Sequence, residues 1–216
     1  MSFDVMLRQM TAGFGQTCLI FFMTLIFSLP LGLLVSFGRM VKNPVLKNLF
    51  KLYISVMRGT PLMLQLMVFY FGPYYLFQMN IGGNWRFIAI ILSFSLNYAA
   101  YFAEIYSSGI ESMPVGQYEA AKLLGYSRSQ TFFRIIFPQV VKRILPSVTN
   151  EVITLVKDTS LAFAVAYMEM FTIAKQIAAS KTTFMPFVVA AVFYYVFNLI
   201  VAVVMEKLEK KLDYYR

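Results

Sequence analysis

The sequence predicts an all-α integral membrane protein of about five spans, and three observations predict it. Of 216 residues, 59% are hydrophobic and 13% are charged, whereas soluble domains carry about 25% charged residues. Three charge-free runs, Gln9 to Gly38, Gly59 to Trp85 and Thr182 to Met205, each exceed the roughly 20 apolar residues that cross a bilayer. The 19 Lys and Arg against 10 acids fall between these runs instead of forming the stripe that nucleic acid would require. One transmembrane domain over residues 1–216 leaves no room for a soluble catalytic domain, so an energy source has to come from another chain.

In chain order, residues 1–10 carry Asp4 and Arg8 and lack a small-residue cleavage site, so the first run is expected to stay as an anchor, kinked at Pro30. Arg39, Lys42, Lys47, Lys51 and Arg58 separate it from the second run. The third span, Phe87 to Ala103, becomes long enough by continuing past Glu104 toward Ile110, which puts a carboxylate inside it. A fourth, Ile144 to Phe171, includes Glu151, Lys157, Asp158 and Glu169, yet Val152 to Val156 and Leu161 to Met168 are too apolar for an exposed loop. The fifth is Thr182 to Met205. Asn43-Pro44, Gly72-Pro73, Gly82-Gly83, Met113-Pro114-Val115-Gly116 and Pro138 are expected to mark bends or loops.

Orientation follows from where the cations fall, because short cytoplasmic loops hold the excess of Lys and Arg. Fourteen lie on one side of a five-span arrangement, against Arg8, Arg86, Lys175 and Lys181 on the other. The N-terminus is therefore expected outside and the C-terminus in the cytoplasm. Tyr194-Tyr195 and Tyr214-Tyr215 are expected to be interfacial anchors. Glu169 and Lys175, near the outer end of the fourth span, are expected to be exposed charge or a contact for an external protein. The chain has no histidine and a single cysteine, Cys18. His-dependent base catalysis, the commonest transition-metal ligand and a disulfide framework are thereby excluded, and no cofactor or metal is expected in this chain.

Between the third and fourth spans, residues 111–138 interleave Tyr118, Ala121, Leu123, Leu124, Phe132, Phe133 and Ile136 with charges. Short amphipathic helices with a break at Gly125 are expected, forming either a lid on the helix ends or a docking surface.

The run Gly116-Gln117-Tyr118-Glu119-Ala120-Ala121-Lys122-Leu123-Leu124-Gly125, with Pro138 downstream, resembles the coupling loop of bacterial ABC importer permeases. Arg58-Gly59-Thr60-Pro61-Leu62 with Gln65, Asn97 to Ile105, and Lys157-Asp158-Thr159-Ser160-Leu161 resemble the polar amino-acid subfamily of these permeases, in order and spacing. The resemblance implies a type I importer. Two permeases would work with a dimer of ATP-binding subunits that holds ATP and Mg, and an external solute-binding protein would deliver an amino acid. Glu119, Ala120, Ala121 and Gly125 would engage the ATPase. One departure stands out: Ser107-Ser108-Gly109 replaces the basic residue and paired glycines usual after the Glu104 position. Consistent with the resemblance, no phosphate-cradling G-x-x-x-x-G-K-[ST] loop is present.

Polar residues inside spans are the candidates for solute contact. Asn97, Tyr101 and Glu104 are spaced i, i+4, i+7, and Glu151, Thr154 and Asp158 are spaced i, i+3, i+7, so each trio shares one helix face. If these faces oppose each other, with Ser160 nearby, they line a polar chamber whose acidic excess suits a cationic amino acid such as Arg, Lys or His. The competing reading gives these groups to interhelical hydrogen bonds, or pairs Lys157 with Glu151 or Asp158. Arg58 and Pro61 are expected to form a gate or bend. Two other function classes compete: a lipid-directed membrane enzyme using the carboxylates, and an ion-coupled amino-acid carrier or channel working without an ATPase.

Overall fold

A computed structural model describes residues 2–79 and 82–212. Tyr214, Tyr215 and the closing Arg216 lie outside the described residues. Three helices are long and apolar enough to span a membrane: α1 (Phe3–Arg39), α4 (Trp85–Glu111) and α9 (Met185–Leu212). Two bent units bring the total to as many as five. The first joins α2 (Pro44–Gly59) to α3 (Leu62–Phe77) at 107°, and the second joins the helical stretch 128–165 to α8 (Met170–Lys181) at 55°. That stretch comprises α6 (Arg128–Gln130), π-helical turns over Thr131–Ile136, α7 (Phe137–Asp158) and tighter 3₁₀ turns over Thr159–Val165. α5 (Val115–Leu123) precedes it.

The boundaries follow local chemistry. Asn43 caps α2 by accepting from Val45 N at 2.9 Å, and Pro44 opens the helix, as the Asn-Pro pair suggests. Thr60 is extended ahead of Pro61, so the chain turns there and α3 starts afresh. The second span is shorter than the apolar run indicated. Gln78 takes a left-handed conformation that ends α3 (φ 53°), and Trp85 belongs to the next helix. Gly72-Pro73 does not interrupt α3. Pro138 likewise does not interrupt the chain of helical turns: it lies just where the π-helical turns pass into α7, so the helix begins well before Ile144.

α1 and α4 form the centre of the fold. Gly32 permits their close approach, since a Cβ there would lie 2.7 Å from Phe102 Cβ and 3.1 Å from Ala99 O. Phe94, Tyr98 and Phe102 on α4 are fully or nearly fully buried, packing with Ile20, Phe21, Leu155, Val156 and Phe197. α2 covers the basic end of this pair, burying Ile54 against Val35, Ala100 and Ala103. Met6 and Met10 meet Met170, Ala174 and Val189 at the other end.

The fourth span is broken, and Glu169 explains how the break is tolerated. After Ala166 turns left-handed (φ 52°), Glu169 caps α8. It accepts from Phe171 N at 2.7 Å, Thr172 N at 2.6 Å, Thr172 Oγ1 at 2.8 Å and Tyr194 Oη at 3.1 Å. Glu169 is 0% exposed, which corrects the expectation of an exposed charge. Tyr194 is corrected with it, because its phenol serves this carboxylate inside the bundle. Lys175 is exposed, its ammonium 5.0 Å from the Phe163 ring centroid.

Candidate functional site

The polar residues of the third span gather three neighbours around α4. At its basic end, Arg39 Nη1 donates to Glu104 Oε2 at 2.5 Å, and Arg58 Nη1 lies 3.4 Å from the same oxygen. Arg58 also stands over the Tyr101 ring, 5.3 Å from its centroid. One turn along, Asn97 Nδ2 donates to Met57 O at 2.9 Å and to Gln65 Oε1 at 3.0 Å. Gln65 Nε2 in turn donates to Met57 O at 2.9 Å, Thr60 O at 3.2 Å and Thr60 Oγ1 at 2.7 Å. The bend between α2 and α3 exposes backbone carbonyls that no helix satisfies, and two side-chain amides satisfy them.

This arrangement separates the predicted stripe by task. Asn97 is 4% exposed, its amide engaged with Met57 O and Gln65 Oε1. Tyr101 and Glu104 remain partly accessible beside Arg58. Pro61 is exposed and immediately precedes α3, at the 107° angle between α2 and α3. Gln65, noted only as part of a sequence resemblance, is the residue that closes the network. Its signal was its position: the one amide between Pro61 and Gly72 in an apolar run.

The link across to α7 is made by Tyr98, one position off the stripe, whose Oη donates to Asp158 Oδ2 at 2.7 Å. Glu151 and Asp158 are half-buried, and neither forms an ion pair among the described residues. Lys157 is exposed and forms a salt bridge with neither, although its charge acts on the neighbouring Asp158. Arg58 lies within electrostatic reach of Glu151, so one cation addresses acids on two helices. Thr154 and Ser160 donate their hydroxyls to Asn150 O at 2.9 Å and Lys157 O at 2.7 Å. Their oxygens keep lone pairs for another donor.

At the basic end, α5 rests on the bundle through Ala121, which is 1% exposed. Glu119, Ala120 and Gly125 face outward, as do Leu123 and Leu124 at 88% and 75% exposure. Gly125 is left-handed (φ 79°), and Tyr126 N donates back to Ala121 O at 3.0 Å, ending α5 in a tight reversal that favours glycine. Ser127 and Gln130 then form a capping box that starts the next helical stretch. The segment is thus a helical hairpin with an apolar outward tip.

Residues 9–214 match the family described as the binding-protein-dependent transport system inner membrane component. The chain belongs to this family. It is 39% identical over 206 residues to a probable amino-acid ABC transporter permease of Bacillus subtilis (strain 168), covering 94% of this chain and 88% of that protein. It is 34% identical to an L-cystine transport system permease of the same organism, covering 95% and 87%. An octopine transport system permease of Rhizobium radiobacter is 38% identical, with 82% and 76% covered. Among solved structures, an amino acid ABC transporter crystallised with histidines superposes with a TM-score of 0.87 at 29% identity over 98% of this chain and 99% of that one. A methionine ABC transporter in an inward-facing conformation shares the fold, with a TM-score of 0.75 at 18% identity over 98% and 99%.

This polar amino-acid ABC permease is therefore the transmembrane, non-catalytic subunit of an ATP-driven importer, a multi-pass inner-membrane protein working with ATPase subunits and a binding protein. Membership sets aside both the lipid enzyme and the carrier without an ATPase.

Proposed function

We propose that this permease moves a polar amino acid with a cationic side chain, of the Arg, Lys or His class, along a path beside α4 and α7. The observation that carries the reading is the pair Glu151 and Asp158, half-buried acids of the bundle without an ion pair among the described residues. Carboxylates held inside a membrane protein stand where a cation is expected to arrive. Tyr101, Glu104, Thr154 and Ser160 complete the contacts, supplying a π-face, a third carboxylate and two hydroxyl oxygens.

In this reading the external binding protein hands over the solute, and a second permease, identical or different, completes the pathway. A pair of ATPase subunits holds ATP and Mg and grips residues 111–138 through Glu119, Ala120 and the turn at Gly125, with Ala121 seating α5. The N-terminus lies outside and the C-terminus in the cytoplasm, as the loop cations indicate. The test is ATP-dependent uptake by the reconstituted transporter, comparing labelled Arg, His, Gln and Glu in wild type, Glu151→Gln and Asp158→Asn. A loss confined to Arg and His supports the reading. Equal loss of every amino acid overturns the assignment of these acids to the side chain.

A further inference from the structure

The functional reading leaves Arg58 unexplained as an element of a path for cations, since it fills the very groups a cationic solute would use. Its guanidinium lies over Tyr101 and beside Glu104 Oε2, which are the π-face and the carboxylate of the proposed site. The two arginines on Glu104 are held differently. Arg39 bonds Oε2 at 2.5 Å and its side chain is 17% exposed; Arg58 stays at 3.4 Å and is 41% exposed. The first is a structural ion pair. The second is longer than an ordinary charge-assisted hydrogen bond and sits on the surface of this chain, and is therefore displaceable.

The backbone around Arg58 cannot follow such a displacement easily. Met57 O and Thr60 O are both tied down by Gln65, and Met57 O also by Asn97. Movement is thereby confined to the flexible side chain.

We infer that Arg58 is a tethered cation that occupies the Tyr101–Glu104 site in the absence of solute and must yield it to an incoming ammonium or guanidinium. The inference rests on the proposed path beside α4 and deepens it. A built-in competitor keeps an acidic path closed to small cations. It also links solute arrival to a change of charge at the bend between α2 and α3.

The test uses the whole transporter in proteoliposomes, with its ATPase subunits and binding protein, and reads ATP hydrolysis without added amino acid. Arg58→Gln and Glu104→Gln each empty the contact, so each is expected to raise this rate threefold or more. Combining them should add nothing further, and Arg58→Lys should give an intermediate rate. A second readout is KM for labelled arginine against labelled glutamine, where Arg58→Gln is expected to lower the arginine value alone. Solute-free hydrolysis unchanged or reduced in assembled Arg58→Gln overturns the inference, as does an additive double variant. Should Arg58→Gln fail to assemble, Arg58→Lys decides, because it spares the Arg39–Glu104 ion pair: a solute-free rate no higher than wild type then overturns the inference. Failure of the underlying reading has a separate signature: wild-type uptake that does not favour arginine over glutamine overturns the cationic assignment, and the hydrolysis rates still judge the tether.

Discussion

Tyr98 and Asp158 stand 60 residues apart in the chain and 2.7 Å apart in space, the phenol donating to the carboxylate where α7 tightens into 3₁₀ turns. The bond fixes the orientation of the one acid that α4 itself holds on α7. Tyr98→Phe keeps the ring packing and removes only the donor. Hydrogen bonds between membrane helices contribute about 0.6–1.7 kcal/mol, so the variant should assemble with a melting temperature lower by about 2–5 °C. Its uptake KM should rise about threefold or more, because Asp158 loses its set direction. Thermal unfolding in detergent and initial uptake rates check the two halves.

Glu169 is a test of folding instead of transport. Its carboxylate satisfies two backbone N–H groups at the start of α8 together with Thr172 and Tyr194. Glu169→Ala leaves these donors buried and unpaired, at a cost of about 2 kcal/mol or more. Reduced yield and a clearly lower melting temperature are expected, with Glu169→Gln in between. Affinity for the external binding protein should not change in the protein that does assemble, and a surface-binding assay checks this.

Gly32→Ala should force α1 and α4 apart, since the added carbon meets Phe102 Cβ at 2.7 Å and backbone at 3.1 Å. Overpacking of this kind costs about 1–3 kcal/mol. Gly15→Ala on the same helix meets nothing within 4 Å and serves as the control. Side-by-side melting curves should separate the two.

The tip of the helical hairpin should divide its variants by the direction they face. In Gly125→Asp the added Cβ meets nothing within 4 Å and the left-handed turn is strained by only about 1 kcal/mol, so the protein should insert and assemble while uptake collapses. Ala120 faces outward and Ala121 inward. Phe at Ala120 should block ATPase association without lowering the melting temperature of the isolated permease, whereas Phe at Ala121 should lower it. Co-purification of the ATPase and thermal unfolding distinguish the two positions.

Much of this was legible in the sequence where the signal is local. The long apolar runs gave α1 and α9, Asn43-Pro44 marked the start of α2, and Gly125 marked the reversal after α5. The i, i+4, i+7 spacing placed Asn97, Tyr101 and Glu104 on one face. The groups facing them could not be read, because Met57 and Arg39 are 40 and 65 residues away from Asn97 and Glu104. Glu169 misled for the same reason. Its nearby partner Thr172 hints at a cap, but Tyr194 lies 25 residues on. Hydropathy sees a charge near a span end and has no access to the tertiary donors that bury it.

The π-helical turns over Thr131–Ile136 contain more residues per rise than the α-helices on either side. Deleting one residue there would restore α-helical register and rotate α6 by about 100° relative to α7. α5 is tied to α7 by the paired amides of Gln117 and Gln139 at 2.9 Å, so the turn between α5 and α6 would have to absorb the rotation. The extra residue of the π turns thus sets how α6 is phased on α7, so a single-codon deletion there is a sharper lesion than a substitution that keeps the residue count.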